Sequence, residues 1–188
     1  DAEQRYTAQR LQQVVHPALK KITGMHELSE RDVLRIGVCG SGGGYRALCA
    51  MLGTLIGLQD IGLFDCCLYA AGLSGSSWML FPWLSSGLSL CEWAETISGR
   101  LERSIIRPSY EELVAINNAL GRRRAAGDII GPLDVYGCLI AERLLAGSYD
   151  GRLTHTLSEI QHRLEEQHAP FPLAVAFDTT GGFRKTFE

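Results

Sequence analysis

An apolar segment, a glycine-containing turn and an apolar helical pattern follow one another twice in the first half of the chain. The first copy has a short apolar run at 34–39, then glycines, then a proline-free apolar stretch at 45–58. The second has an apolar run at 67–71, a turn at 72–75, and a helix that we expect to begin near 76–77. Short apolar runs bounded by glycine are typical of buried strands. Two strands joined by a buried helix form a βαβ unit, which predicts an α/β fold with a mostly parallel sheet and both turns at one edge.

The remaining segments are interpreted as layers around this unit. Residues 1–33 are predicted to form a peripheral N-terminal helical segment that Pro17 interrupts. Residues 34–188 are predicted to be part of an α/β domain, with helices at 91–118 and 134–145, an amphipathic helix through 153–164 and a strand at 172–177. Because nothing follows to cover that last strand, we expect a further C-terminal part of the same domain.

Composition excludes some classes of function. The net charge is −3 and 46% of the residues are hydrophobic, which favours one globular domain without a broad attraction for nucleic acid or an anionic membrane. No nucleic-acid partner is expected. The one basic cluster, Arg122-Arg123-Arg124 between Gly121 and Gly127, is predicted to be a solvated loop.

The cysteines indicate the cellular compartment, and one long uncharged segment raises the question of a membrane span. Six cysteines without a paired C-x-x-C spacing predict buried free thiols, which favours a cytoplasmic protein and no metal site. The stretch from Cys66 to Cys91 is uncharged and longer than the roughly 20 residues of a membrane-spanning helix. Its glycines, serines and Pro82 argue against that interpretation, and a buried strand followed by a buried helix fits better.

Ser74 is the candidate nucleophile. A serine in a tight turn between a strand and a helix has its hydroxyl pushed to the sheet edge, at the positive end of the helix dipole. Gly72 and Gly75 are the residues that such a turn needs. The fifth position is Ser76 rather than the glycine of the common hydrolase turn, so an ordinary glycine and serine loop remains an alternative.

The loop Gly42-Gly43-Gly44 is the candidate oxyanion hole, because glycine backbone can present bare N–H groups to a developing negative charge. Arg46 follows at once and could bind a substrate phosphate, or serve as a surface or structural arginine. A nucleotide-binding loop fits less well. The acidic residue expected at the end of the second strand is absent, since Asp65 precedes that strand, and no lysine makes a P-loop.

Two motifs taken together resemble the cytosolic phospholipase A2 family and the related fungal phospholipase B catalytic domains. They are Gly40-Ser41-Gly42-Gly43-Gly44-Tyr45-Arg46-Ala47 and Tyr69-Ala70-Ala71-Gly72-Leu73-Ser74-Gly75-Ser76-Ser77-Trp78. The resemblance continues through 132–140 and 170–175, so it covers most of the chain from about residue 34.

The resemblance implies a patatin-like α/β fold and a serine–aspartate dyad that hydrolyses glycerophospholipid or lysophospholipid esters at a membrane surface. It implies that Ser74 is the nucleophile, that Gly43 and Gly44 form the oxyanion hole, and that Arg46 contacts the substrate phosphate. No cofactor is expected. The family's calcium-dependent lipid-binding module has no counterpart here, so no calcium site is expected.

The dyad aspartate has no clear counterpart in the sequence. In the family it lies much later in the catalytic domain, so we expect it in a further part of the protein. Asp178, after the last predicted strand, is a weaker local substitute. A histidine-dependent mechanism would need His155, His162 or His168, which are interpreted instead as solvated positions on an amphipathic helix. A lipid-binding module of the same fold without catalysis remains an alternative.

Overall fold

The centre of the molecule is a three-stranded parallel sheet. The computed structural model describes residues 2–104, 107–145, 157–161, 164 and 169–175. The strands are β1 (Ile36–Gly40), β2 (Cys67–Gly72) and β3 (Phe171–Ala174), in the order β1-β2-β3. All described pairs are parallel, which confirms the predicted parallel sheet flanked by helices.

Seven α-helices are found among the described residues: α1 (Ala2–Arg10), α2 (His16–Thr23), α3 (Tyr45–Asp60), α4 (Gly75–Ser86), α5 (Leu90–Leu101), α6 (Tyr110–Ala125) and α7 (Pro132–Leu144). Helix α3 connects β1 to β2, as the βαβ pattern predicts. Helix α4 follows β2 and begins slightly earlier than expected, at Gly75. The predicted amphipathic helix through 153–164 lies mostly outside the described residues.

The strand register brings the two glycine turns together. Gly40 at the end of β1 pairs with Gly72 at the end of β2, and Gly72 pairs with Ala174 at the end of β3. Parallel strands end at the same edge, so the segments that follow β1 and β2 meet there. The hydrogen-bonded pairing of the strands therefore places the two turns of the candidate site next to each other.

The main core joins the helices that follow the two turns. Its fully buried residues come from α3, α4, α5 and α7 and include Leu48, Met51, Leu55, Met79, Leu80, Leu84, Trp93, Ile97 and Leu144. Burying a side chain of this kind contributes about 1.5–3 kcal/mol. Both helices that begin at the glycine turns are thus fixed along their length by packing.

The N-terminal segment is helical, but Pro17 does not interrupt it. A wider π-helical turn, Leu11–Val15, links α1 directly to α2, and Pro17 lies in the first turn of α2. Proline has no N–H to donate and clashes with the preceding turn of a regular α-helix, and a wide turn before it accommodates both effects. Val15 and Leu19 pack with Cys66 and Leu68 beside the sheet. The division of the chain at residue 33 stays a prediction.

The prediction of a solvated loop at Arg122-Arg123-Arg124 is wrong. These residues form the last turn of α6, which runs through Gly121. A capping box between Ser109 and Glu112 begins the helix, and Arg123 is held by ion pairs to Asp128 and Asp134. These contacts offset the cost of one interior glycine, about 1 kcal/mol.

The prediction that the cysteines are buried is wrong for half of them. Cys66 and Cys67 are buried, Cys138 is half-buried, and Cys39, Cys49 and Cys91 are exposed. All six are free thiols, as expected. Burial raises the pKa of the Cys66 and Cys67 thiols. In the part of the chain that the structure describes, no helix has the length and apolar character needed to cross a membrane.

Candidate active site

Ser74 has a backbone conformation that residues other than glycine rarely adopt. It is the N-cap residue of α4, with φ 52° and ψ −117°. Within the described residues it is the one non-glycine residue with positive φ. Such backbone costs about 1–3 kcal/mol and persists only where the surrounding structure enforces it. Because Ser74 is exposed, its hydroxyl lies at the surface at the carboxyl edge of the sheet.

Close backbone packing enforces this turn. A Cβ atom built on Gly72 would lie 2.7 Å from the Ser77 nitrogen, and one built on Gly75 would overlap the Gly44 carbonyl oxygen. Neither position can carry a side chain without moving backbone, which is why the turn has a glycine two residues before the serine and one directly after it. The turn and the loop after β1 are therefore packed directly against each other.

Two serine hydroxyls fasten the turn to its surroundings. The buried Ser76 hydroxyl donates to the Ser41 carbonyl at 2.6 Å, and the Ser77 hydroxyl donates to the Gly72 carbonyl at 2.6 Å. The Leu73 amide also donates to the Gly40 carbonyl at 3.1 Å. These bonds fix Ser74 relative to the glycine loop, and they explain why serines follow the candidate nucleophile.

The glycine loop presents its backbone at the same place. Gly43 has φ 141°, and Gly44 has φ 60°. Both conformations favour glycine. Among the described residues, no protein acceptor receives the Gly43 or Gly44 amide. A Cβ atom built on Gly42 would lie 3.3 Å from the Ser74 Cβ, which shows how near this loop is to Ser74.

Two helices begin at this edge. Helix α3 starts at Tyr45, directly after the glycine loop, and α4 starts at Gly75, directly after Ser74. The first four N–H groups of a helix have no partner within it, and the helix dipole is positive at that end. The two starts together make this edge favourable for negative charge.

Arg46 lies in the first turn of α3 and is exposed. No carboxylate of the described residues forms an ion pair with it. The structure therefore brings Ser74, Gly43, Gly44 and Arg46 to one edge of the sheet.

An aromatic stack borders the site. The Trp78 amide donates to the Ser74 carbonyl at 3.1 Å, so Trp78 lies in the first turn after the serine. Its ring centroid is 6.2 Å from that of Tyr45 and 6.2 Å from that of Tyr136 in α7. Burial raises the pKa of the Tyr45 phenol, and its buried oxygen has no hydrogen-bond partner among the residues that the structure describes. The stack connects the residue after the glycine loop to the start of α7.

An apolar groove runs from the same stack. It has a volume of about 380 Å³ and lies between α4, α7 and the end of β3. Its lining is mainly apolar and includes Trp78, Phe81, Ile140, Leu144 and Val175. The groove begins one helical turn from Ser74 and offers surface suited to a hydrocarbon chain.

Ser76, Ser77 and Trp78 support the site, and the sequence alone identifies them only as parts of a motif. The hydroxyl run after Ser74 was the available signal, because a serine in the first turn of a helix often bonds to nearby backbone. The packing of Trp78 between Tyr45 and Tyr136 has no local signal, since α7 is distant in the chain.

The base that would activate Ser74 is not found among the described residues. Within them, no side chain forms a hydrogen bond with the Ser74 hydroxyl. Asp178, His155, His162 and His168 lie outside the described residues. No group of three or more histidine, cysteine or acidic residues is placed to hold a metal ion in the part of the chain that the structure describes.

Comparison with known proteins decides the family. A model of the lysophospholipase catalytic domain matches residues 36–186. The chain belongs to the lysophospholipase catalytic domain family. Human cytosolic phospholipase A2 zeta is 32% identical over 183 residues, which are 92% of this chain and 20% of the relative. The resemblance inferred from the two glycine motifs is thus confirmed.

Solved structures agree with this assignment to the lysophospholipase catalytic domain family. Human GIVD cytosolic phospholipase A2 superposes with a TM-score of 0.84 at 27% identity, over 99% of this chain and 25% of that one. The same enzyme in complex with methyl gamma-linolenyl fluorophosphonate gives a TM-score of 0.81 at 27% identity, over 95% of this chain and 26% of that one. The chain spans about a fifth to a quarter of the length of these relatives.

Proposed function

We propose that this chain carries the nucleophile and oxyanion hole of a serine lipid acyl hydrolase that acts on glycerophospholipids or lysophospholipids. The observation that carries the proposal is the strained backbone of Ser74, held against the glycine loop where two helices begin. Strain of this kind is concentrated at functional sites, because the surrounding structure must be arranged to maintain it. Membership of the lysophospholipase catalytic domain family supports the same reaction class.

The proposed reaction starts with attack of the Ser74 oxygen on the ester carbonyl carbon. The oxygen of the tetrahedral intermediate is bound by the Gly43 and Gly44 amides, and loss of one such donor typically costs about 3 kcal/mol of transition-state stabilisation. The base takes the proton of the Ser74 hydroxyl during the attack and returns it to the departing alkoxide, so that the intermediate collapses to an acyl-serine and the alcohol product is released. Water then attacks the acyl-serine and releases the fatty acid.

Substrate binding is proposed to use the two features beside the serine. Arg46 pairs with the phosphate of the headgroup, and the groove lined by Trp78, Ile140 and Leu144 takes an acyl chain. A charged group and an apolar groove at the same edge as one proposed nucleophile suit an amphiphilic ester.

The proton acceptor is proposed to be an aspartate from a part of the protein outside the described residues. An aspartate can serve as the base without histidine when it lies within hydrogen-bond reach of the serine. The alternative is a lipid-binding module without catalysis. Labelling with an electrophilic phosphonate separates the enzyme from the lipid-binding module, because only an activated serine reacts with it.

The test is labelling of the longest native form of the chain with a fluorophosphonate lipid analogue, followed by peptide mass spectrometry. We expect one phosphonylated serine, at Ser74, and loss of both label and phospholipid turnover in Ser74→Ala. Ser85→Ala is the matched control, since Ser85 lies in the same helix about 16 Å further along the axis. An unlabelled wild-type protein would defeat the proposal in favour of the lipid-binding module, and turnover that survives in Ser74→Ala would defeat it by showing that another residue is the nucleophile.

A further inference from the structure

The indole of Trp78 lies against the glycine loop. A Cβ atom built on Gly44 would be 3.9 Å from the Trp78 Cζ3 atom, so the six-membered ring of the indole borders the backbone of Gly44. The Gly44 carbonyl accepts the Leu48 amide at 3.0 Å, which ties the other side of this residue to α3. The position of Gly44, a proposed oxyanion donor, therefore depends on where the indole lies.

Three contacts determine where the indole lies. The Trp78 amide donates to the Ser74 carbonyl at 3.1 Å, which ties the residue to the turn of the proposed nucleophile. The indole packs edge-on to Tyr45, with ring planes at 76°, and at 58° to Tyr136 of α7. Aromatic pairs prefer such tilted and edge-to-face contacts. The indole thus bridges the starts of α3 and α4 and the side of α7.

The same side chain also lines the apolar groove. Trp78 is half-buried, and the lining continues along α4 to Phe81, about 10 Å from Ser74 along the helix axis. On the α7 side the lining includes Gly137 and Ala141, which are about one turn apart. A Cβ atom built on Gly137 would meet nothing within 4 Å. These small residues leave room in the groove for a hydrocarbon chain.

We propose that Trp78 is a positioning residue that couples the acyl chain of the substrate to the oxyanion hole. A chain in the groove packs on the indole and holds it against Gly44, which keeps the Gly44 amide where the oxyanion develops. Binding energy from a remote part of a substrate can raise kcat in this way, and truncated substrates then lose kcat as well as affinity. The site thereby selects esters whose acyl chain fills the groove. This inference rests on the proposed function and names the substrates that it favours.

The first test compares kcat for two soluble esters in the longest native form of the protein. The acyl chain of p-nitrophenyl butanoate ends short of Phe81, whereas that of p-nitrophenyl decanoate is long enough to reach it. Acylation and deacylation both pass through a tetrahedral oxyanion, so the slower step reports on the oxyanion hole in either case.

We expect the wild type to have a kcat about ten-fold higher on the decanoate than on the butanoate. Loss of one oxyanion donor typically lowers kcat by about 10²–10³-fold, and a displaced donor should cost less than a missing one. Trp78→Leu keeps an apolar lining but removes the indole, and it is expected to reduce this ratio of kcat values to about one.

Phe81→Leu is the matched control. Phe81 lines the same groove, but no atom of it lies within 4 Å of a Cβ atom built on Gly44. It is expected to raise the KM for the decanoate while keeping the wild-type ratio of kcat values. If Trp78→Leu changes only KM, the proposal is overturned, since the indole is then groove lining alone. Equal losses of kcat on both esters would also overturn it, because they would indicate general damage to the turn.

The second test observes the indole directly. Trp83 and Trp93 are 3% and 0% exposed, whereas Trp78 is half-buried, and the difference in emission between the wild type and Trp78→Phe isolates its fluorescence. The probe is decanoic acid with two bromine atoms at mid-chain, which quench a tryptophan that they contact. We expect quenching in the wild type that is lost in Trp78→Phe. Equal quenching in both proteins, or none in either, would overturn the proposal and indicate that another part of the protein fills the groove.

Failure of this coupling and failure of the proposed function give different results. If a fluorophosphonate does not label Ser74 and neither ester is hydrolysed, the proposed function fails and the coupling fails with it. If Ser74 is labelled and both esters are hydrolysed with the same kcat, the proposed function stands and the coupling alone fails.

Discussion

At the scale of single residues, the main feature of the molecule is the backbone of Ser74. Side-chain chemistry makes a serine a usable nucleophile, but the local backbone decides where its hydroxyl points. The φ of 52° and ψ of −117° are available to glycine at little cost and to serine only with strain. The hydrogen bonds of Ser76 and Ser77 and the close contact between Gly75 and Gly44 maintain the strained turn.

Replacing Ser74 by glycine should therefore stabilise the protein. We expect Ser74→Gly to raise the free energy of unfolding by about 1 kcal/mol, because relief of strain exceeds the added entropy of the unfolded chain. Ser74→Ala should leave it nearly unchanged, since alanine has the same strain. The measurement is the urea midpoint.

Ser85→Gly serves as the control for this effect, because Ser85 lies in the last turn of α4 and is not among the residues with positive φ. There the same substitution should lower the free energy of unfolding by about 0.5–1 kcal/mol. A loss of similar size at both positions would mean that Ser74 is not strained.

At the scale of secondary-structure elements, the site depends on the close contact between the first residues of α3 and those of α4. Gly75→Ala would place a methyl group on the Gly44 backbone and is expected to cost about 2–3 kcal/mol. It should also abolish fluorophosphonate labelling, because the glycine loop must move. Urea unfolding and labelling at Ser74 are the two measurements.

Gly53→Ala is the matched control in α3. A Cβ atom there meets nothing within 4 Å, and Gly53 is exposed in the helix interior. We expect a gain of about 0.5–1 kcal/mol and unchanged labelling. A labelling defect in Gly53→Ala, or a stable and fully labelled Gly75→Ala, would contradict the described approach of the two helices.

A buried ion pair between Arg143 and Glu112 holds α6 and α7 together. Arg143 donates to Glu112 at 2.7 and 3.2 Å, and both side chains are 2% exposed. Burial alone would raise the pKa of the Glu112 carboxyl, but hydrogen bonds from Arg143 and the Ser109 backbone outweigh it and lower the pKa. Glu112→Gln should cost about 3 kcal/mol, because Arg143 would be left buried without its counter-ion.

The same ion pair predicts that stability depends on pH. Folding lowers the pKa of the Glu112 carboxyl, so the carboxylate contributes its full stabilisation at pH values above its pKa in the unfolded chain, about 4.3. This contribution is lost as the pH falls through the pKa of the folded state. The urea midpoint should therefore drop between neutral pH and pH 3 more steeply in the wild type than in Glu112→Gln. Parallel pH profiles would show that Glu112 does not carry this dependence.

The elements also show what sequence reasoning can reach. The βαβ unit was predictable because strand, glycine turn and buried helix each leave a local pattern. The C-terminal end of α6 could not be predicted, because a glycine such as Gly121 is typical of a helix end. The contacts of Arg123 with Asp128 and Asp134 form only in the folded protein. The exposure of Cys49 and Cys91 was missed for a related reason, since apolar neighbours along the chain are not neighbours in space.

At the scale of the whole molecule, the described sheet has one edge that offers apolar surface. Leu173 is 37% exposed and Val175 is 53% exposed, and Val175 also lines the groove beside Trp78. The matched relatives are four to five times longer, since this chain covers 20% of one and 25% of another. The placement of α7 beside Trp78 was beyond prediction, because that contact depends on residues far apart in the chain.

A piece limited to residues 1–188 should expose this apolar surface to solvent. We expect it to bind the dye anilinonaphthalene sulfonate more strongly per chain than the longest native form does, because exposed apolar patches of this kind normally have a partner. Val175→Asp should reduce the dye signal of the short piece and lower the stability of the long form. Equal dye binding by both forms would indicate that the edge beside β3 remains open.

The left-handed backbone at position 74 also restricts the chemical repertoire of the site. A threonine would supply the same hydroxyl, but its branched Cβ is poorly tolerated at positive φ. A cysteine is unbranched and fits the same backbone. The turn thus limits the proposed nucleophile by the shape of its side chain before reactivity is considered, and in the proposed reaction the alternative open to this scaffold is a thioester intermediate rather than a threonine ester.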